Sequence, residues 1–177
     1  GPRTLQFASL NFDVSFQEMF STWCAGGTLV LVDEEARRDP GTLLRVLIDQ
    51  RVERLFLPFV ALQHLAEASE AERIVPRDLR EVVTAGEQLK ITPSIERLFA
   101  KLDRCRLDNH YGPTETHLAT MYRLEAAAGE WPRLPPIGGP ISNVQVYVLD
   151  GHLEPVPFLA GGEICVGGAG LAWGYLG

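Results

Sequence analysis

No apolar run in this 177-residue chain approaches the roughly 20 residues that a membrane-spanning helix requires. The opening Gly1-Pro2-Arg3 carries no apolar core of a secretory signal, so a soluble, cytoplasmic protein with no membrane partner is expected. A basic surface is missing too. Lys and Arg total 16 against 23 Asp and Glu, a formal charge of -7, which argues against a nucleic-acid or anionic-membrane partner because both need cations to neutralise phosphate. Cysteine is sparse and unpatterned: Cys24, Cys105 and Cys165 are odd in number and lie in no CxxC arrangement. That excludes a disulfide framework and a zinc site, and leaves three thiols expected to be buried. A GxxxxGK phosphate loop is absent, and Gly168-Ala169-Gly170 followed by Gly174 is a poor GxGxxG match with no acidic residue downstream.

Apolar residues make up 46% of the chain, enough to bury a core. Short apolar runs at Thr28 to Val32, Arg54 to Leu57, Glu81 to Ala85 and Arg104 to Asn109 each suit a strand. Helical stripes fill the gaps. After Ser15 as N-cap, Phe16, Met19, Phe20, Trp23 and Cys24 share one face until Gly26-Gly27 stops the helix. Leu43, Leu44, Leu47 and Ile48 make a second stripe, and Leu62, Leu65 and Ala66 a third. A fourth helix opens with Thr92 as N-cap and Pro93 at its first position, and turns Ile95, Leu98, Phe99 and Leu102 to one side.

Strands recurring about every 26 residues with helices between them imply β-α units and an α/β fold: a parallel sheet flanked by helices on both faces. From about Ala126 the texture shifts to Gly, Pro and Trp, with Val144 to Leu149 and Glu163 to Val166 as strands joined by a turn at Asp150-Gly151. The expected division is therefore an α/β subdomain over residues 1–125 and an incomplete all-β subdomain over 126–177. The chain stops at Gly174-Tyr175-Leu176-Gly177, straight after a glycine-rich strand and turn, as an internal piece would. Gly1-Pro2 suits a tag scar or native sequence equally.

In an open parallel sheet, ligands bind outside the carboxyl ends of the strands. Two such ends are unusual here. Glu81 to Ala85 is followed by Gly86-Glu87-Gln88, and Arg104 to Asn109 by His110-Tyr111-Gly112-Pro113-Thr114-Glu115-Thr116. A bare glycine lets a ring or a phosphate approach the main chain, Tyr111 offers a stacking face, and Thr114 with Glu115 offers oxygens to a hard cation. Asp13 is a further candidate: a carboxylate facing a pocket is costly unless it meets a cation, although it could instead cap the helix that follows.

Alone, Tyr-Gly-Pro is ordinarily a turn. The ordered run Asn109-His110-Tyr111-Gly112-Pro113-Thr114-Glu115 is more specific and resembles a motif of the adenylation domains of nonribosomal peptide synthetases, which share a fold with acyl-CoA synthetases and luciferases. Three further segments resemble that family in order and spacing: Phe12-Asp13-Val14-Ser15, Thr84-Ala85-Gly86-Glu87, and the stretch from Gly162-Glu163-Ile164 to Gly174-Tyr175-Leu176. One position departs from the pattern, with Trp173 where the family usually has Arg; it is expected to be a packing residue at a turn.

The resemblance implies a flavodoxin-like subdomain followed by part of a β-barrel-like one. The implied reaction joins an amino acid to ATP as aminoacyl-AMP with release of pyrophosphate, then passes the acyl group to the phosphopantetheine thiol of a carrier protein. It implies ATP and Mg²⁺ as cofactors, and carrier and condensation domains as neighbours in an assembly line for a secondary metabolite. Residue by residue, it assigns Glu115 to Mg²⁺ and Thr114 to phosphate as the catalytic pair. Tyr111 would stack on adenine, Asn109 would meet its amino edge, Gly86 and Glu87 would line the base, and Gly112 belongs to the same nucleotide site. The implied amino acid pocket is Asp13, Val14, Gln17, Phe56, Val83, Ala85, His110, Leu118 and Ala119, a set similar to those of proline-activating modules. Asp13 would meet the α-ammonium, which fatty-acid-activating relatives have no need to bind. The family's Lys-bearing phosphate loop, ribose-binding Asp and C-terminal Lys have no counterpart here. The chain by itself is thus expected to bind ATP weakly and catalyse nothing measurable, the alternatives being a non-catalytic specificity subdomain or an unrelated flavodoxin-like nucleotide binder.

Overall fold

The computed structural model describes residues 1–125 and 127–176; Ala126, where the all-β part was expected to begin, and the final Gly177 lie outside the described residues. Strands β1 (Arg3–Gln6), β2 (Thr28–Leu31), β3 (Arg54–Leu57), β4 (Glu81–Thr84) and β5 (Arg106–Tyr111) pair in parallel, with registers such as Leu5↔Val30, Phe56↔Val83 and Thr84↔Asn109. Two further strands, β6 (Thr120–Leu124) and β7 (Gly139–Pro140), extend the sheet antiparallel, giving the order β2-β1-β3-β4-β5-β6-β7. The sheet is therefore mostly rather than wholly parallel. Only a short loop separates β5 from β6, and a parallel return would need a crossover of a dozen residues or more. Strands β8 (Val144–Leu149) and β9 (Glu163–Gly168) form a separate antiparallel pair. They are not joined by a tight turn at Asp150-Gly151: residues 150–162 connect them, with Asp150 Oδ1 accepting from the amides of His152 and Glu154.

Helices α3 (Pro40–Asp49), α4 (Phe59–Glu72) and α5 (Pro93–Phe99) form where the stripes lie, and pack side by side. Their buried residues Leu43, Leu44, Leu47, Leu62, Leu65, Ala66, Ile95, Leu98 and Phe99 meet Leu55, Val82 and Leu107 of the sheet in one core. Removing each large side chain from water contributes about 1.5 to 3 kcal/mol. Thr92 caps α5 as expected, accepting from the Ile95 amide. A short helix α2 (Glu34–Arg38), capped by Asp33, leads into α3.

Helix α1 (Val14–Cys24) faces the opposite way from the sequence expectation. Its aromatic stripe is turned outward, with Phe16, Phe20 and Trp23 each more than half exposed, while Ser15, Glu18 and Thr22 are buried against the sheet. Periodicity shows that apolar residues share a face but not which face the sheet takes. Here hydrogen bonds decide, because the polar face meets fixed partners: Glu18 accepts from the amides of Phe7 and Ala8, and Arg54 Nη2 donates to Thr22 Oγ1 at 2.9 Å. The same rotation leaves Cys24 exposed. Cys105 and Cys165 are half-buried, so the three thiols are not core residues, although burial pushes the Cys105 thiol up to about 12. Ser15 lies inside the helix rather than capping it; Asp13 occupies the cap position.

Candidate functional site at the strand ends

The chain leaves β1 for β2 on one side, then returns past β1 to place β3 on the other. Connections therefore diverge between β1 and β3, and such a switch point opens a crevice at the strand ends. A cavity of about 600 Å³ lies there. Phe7, Ala8 and Ser9 after β1 line it, with Phe56, Leu57 and Pro58 at the end of β3, Val83, Ala85, Gly86 and Glu87 at β4, and Gly112 and Thr114 beyond β5. Phe12, Asp13 and Val14 close it from the start of α1, and Glu34, Arg37 and Arg38 from α2.

Nine of the residues selected from the sequence thus share one cavity: Asp13, Val14, Phe56, Val83, Ala85, Gly86, Glu87, Gly112 and Thr114. Gly86 has φ +82 with no atom near a would-be Cβ, so it serves a left-handed turn that leaves its main chain bare. Glu87 accepts from the Val60 amide at 3.1 Å, capping α4 where Pro58 supplies no side-chain cap. Thr84, at the end of β4, is buried beneath this loop.

The other selected residues stand beside the cavity. Gln17 Nε2 lies 3.4 Å from His110 Nδ1, which joins α1 to β5. His110 is buried, and desolvation holds its pKa below the usual imidazole value. Asn109 is buried and donates from Nδ2 to the Pro136 carbonyl at 2.9 Å, which uses one of its two amide N–H groups and fixes the side chain. Tyr111 is half-buried at the end of β5, with Leu118 half-buried and Ala119 fully buried at the return. Glu115 is exposed and accepts from the Tyr175 hydroxyl at 2.8 Å, a bond that holds its carboxyl below the usual range. Trp173 is fully exposed, not packed at its turn.

The loop between β5 and β6 is tight. Ala119 N donates to Tyr111 O at 2.9 Å, and a Cβ on Gly112 would stand 1.5 Å from the His117 carbonyl oxygen, so only glycine fits. His117 takes φ +56 and brings Nδ1 to 3.3 Å from Asp13 Oδ2. A family model described as AMP-binding enzyme matches residues 1–176. The chain belongs to that family.

Within it, the chain is similar to segments of peptide synthetases. It is 37% identical to tyrocidine synthase 2 of Brevibacillus parabrevis over 98% of its own length and 5% of that protein's. With the phosphinothricin tripeptide synthetase PhsC of Streptomyces viridochromogenes it shares 42% identity over 98% of its length and 15% of the relative's. Among solved structures it matches the nonribosomal peptide synthetase FmoA3 with a TM-score of 0.90 at 30% identity, covering 99% of this chain and 19% of that one. Forms of FmoA3 described as bound to AMPPNP and to alpha-methyl-L-serine-AMP match at 0.89. The chain spans a small part of each relative, and its fold is that of their adenylation domains.

This member of the AMP-binding enzyme family also holds residues that sequence reasoning passed over. Glu18 is fully buried at the junction of β1 and α1, and ties together the amides of Phe7 and Ala8 and the side chain of Gln6. Its desolvation outweighs those bonds and raises the carboxyl from 4.5 to about 7. The spacing Ser15, Glu18, Thr22 was the available signal, a polar stripe beside the aromatic one of Phe16, Phe20 and Trp23. A testable consequence follows from linkage. A carboxyl raised in the folded state stabilises fully below pH 4.5, and that contribution is lost as pH rises toward about 7. We expect Glu18→Gln to remove a fall on the order of 3 kcal/mol over that window, seen as the difference between urea-unfolding curves of the two proteins at successive pH values. Parallel curves would show that the bonds from Phe7, Ala8 and Gln6 offset the burial of Glu18 and that its carboxyl is not raised.

Proposed function

We propose that the chain is the substrate-selecting, ATP-binding core segment of an amino-acid-activating adenylation domain, within a ligase that converts amino acid and ATP to aminoacyl-AMP and pyrophosphate. The observation that carries this reading is the convergence on one switch-point cavity of an acidic wall, Asp13, an apolar wall of Phe56, Val83 and Ala85, and a polar rim of Gly86, Gly112 and Thr114. Support comes from the adenylate and nucleotide analogues named for FmoA3.

In this reading Asp13 meets the α-ammonium, while Val14, Gln17, His110, Leu118 and Ala119 complete the amino acid pocket. Tyr111 stacks on adenine, the amide oxygen of Asn109 accepts from the adenine amino group, and Gly86 with Glu87 lines the base. Thr114 donates to phosphate. Glu115 is an ionised, exposed carboxylate beside a hydroxyl, a donor set that suits Mg²⁺, which takes one or two carboxylates and completes its shell with phosphate and water. Bound there, the ion would neutralise charge on the phosphates. The substrate carboxylate oxygen attacks the α-phosphorus, and the bond to the bridging oxygen breaks as pyrophosphate leaves with the electron pair. The residues contribute position and electrostatics rather than covalent chemistry. A carrier thiol would then attack the acyl carbon and expel AMP, placing the segment beside carrier and condensation domains. Residues 1–125 would hold both ligands; within 126–177, β7 completes the first sheet, and β8 with β9 would form part of a second, all-β subdomain.

A compact apolar ring suits the wall of Phe56 and Val83, and proline is the substrate we propose. ATP–pyrophosphate exchange in an intact adenylation domain carrying this segment is expected to run at least about tenfold faster with proline than with leucine or phenylalanine, because misfit in an apolar pocket discriminates on that scale. Equal rates would dismiss proline and leave the reaction class standing.

A further inference from the structure

Two local sacrifices converge on one contact. Asp13 occupies the N-cap position of α1, where an Asp side chain normally accepts from a helix amide, yet it makes no capping bond. His117 is held at φ +56, a left-handed backbone that side-chain-bearing residues rarely adopt. Both geometries bring His117 Nδ1 to 3.3 Å from Asp13 Oδ2. The backbone behind His117 is fixed, because its carbonyl packs on the bare face of Gly112 and the next return bond joins Ala119 N to Tyr111 O. Asp13 lines the cavity, and the imidazole of His117 meets one of its two carboxylate oxygens, Oδ2.

We infer that His117 is a positioning residue for the substrate ammonium: it engages Oδ2 of Asp13 and so fixes the carboxylate, leaving Oδ1 for the ammonium. The contact removes the carboxylate's rotational freedom, so less ordering remains to be done when substrate arrives. Gln17 and His110 form a second link between the same helix and the neighbouring strand, 3.4 Å apart. Helix α1 is thus tied to the loop after β5 at Asp13 and to β5 itself at Gln17. The inference rests on Asp13 being the ammonium partner, and the experiment separates the two.

In an intact adenylation domain carrying this segment, His117→Gly accepts the left-handed backbone without strain and removes the imidazole. We expect it to raise the amino acid KM about tenfold, leave kcat and the ATP KM within about twofold, and preserve the melting temperature. His117→Asn tolerates the same backbone and keeps an N–H donor, so it should return the KM to within about threefold of wild type. His117→Asp keeps the backbone and adds a like charge, and should exceed the glycine variant. An unchanged amino acid KM in His117→Gly overturns the inference. Should that variant lose its fold, equal KM values for the Asn and Asp variants overturn it instead. A substrate acid lacking the amine provides the separate control. If the wild type binds it as well as the amino acid, Asp13 does not meet an ammonium and the underlying reading fails. If the wild type discriminates but His117→Gly discriminates equally, only the role of His117 fails.

Discussion

Asp13→Ala, placed in an intact adenylation domain carrying this segment, is expected to lower kcat/KM for the amino acid about 100- to 4,000-fold while the ATP KM changes by less than about threefold. The magnitude comes from what the ammonium would face without the carboxylate. The adjacent wall is Phe56, Val83 and Ala85, and the described cavity residues nearest in sequence, Phe12 and Val14, are apolar as well. An ion left unpaired in such surroundings costs about 3 to 5 kcal/mol, and each 1.4 kcal/mol is a factor of ten. Asp13 also stands at the cap of α1, so a structural explanation of any loss has to be separated from this one. The side chain makes no capping bond. The Ala variant should therefore melt within about 2 °C of the wild type, whereas loss of a working cap would remove about 1 kcal/mol and shift the transition further. A large loss of activity at unchanged melting temperature supports recognition of the ammonium. A matching loss of stability would instead make Asp13 a helix-starting residue.

The contrast between α5 and α1 shows what the sequence could disclose. Helix α5 is announced by local chemistry, Thr92 accepting from the Ile95 amide with Pro93 pre-set behind it, and neither signal depends on the rest of the chain. Helix α1 carries an equally clear stripe, yet its orientation follows from where Glu18 and Thr22 find partners, in β1 and β3. Strand β1, Arg-Thr-Leu-Gln, has no apolar run to mark it, and it became a strand by pairing between β2 and β3. The general location of the site was legible, because glycines and polar residues just after two strands stand out against a core pattern, and Gly86, Gly112 and Thr114 do line the cavity. Its second layer was not. Glu18 meets the Phe7 and Ala8 amides, and His117 meets Asp13, across 10 or more and 104 residues of chain; the spacing Ser15, Glu18, Thr22 marks a polar face without naming its partners, and no local pattern marks the meeting of His117 with Asp13.

Gly112→Ala should be the most disruptive single methyl group in the site loop. Its Cβ would lie 1.5 Å from the His117 carbonyl oxygen, 2.7 Å from the carbonyl carbon and 2.9 Å from the Ala119 nitrogen. All three are backbone atoms, and they cannot yield without opening the first bonds of the β5–β6 return, where Ala119 N meets Tyr111 O and Tyr111 pairs with Thr120. Overpacking ordinarily costs about 1 to 3 kcal/mol, and a clash with fixed backbone stands at or above the top of that range, enough to lower the melting temperature by several degrees. Gly86→Ala is the matched comparison. Gly86 has φ +82 but open space where its Cβ would be, so only the conformational penalty of about 1 to 2 kcal/mol applies. Thermal unfolding of the two variants should therefore differ by several degrees, with Gly112→Ala the lower. The same displacement would carry His117 away from Asp13, so amino acid affinity should fall in Gly112→Ala and hold in Gly86→Ala, where any loss should appear in the ATP KM. Equal stability of the two variants would mean that the loop has room at Gly112, and the close seating of His117 on the hairpin, with the aim it gives to Asp13, would have to be abandoned.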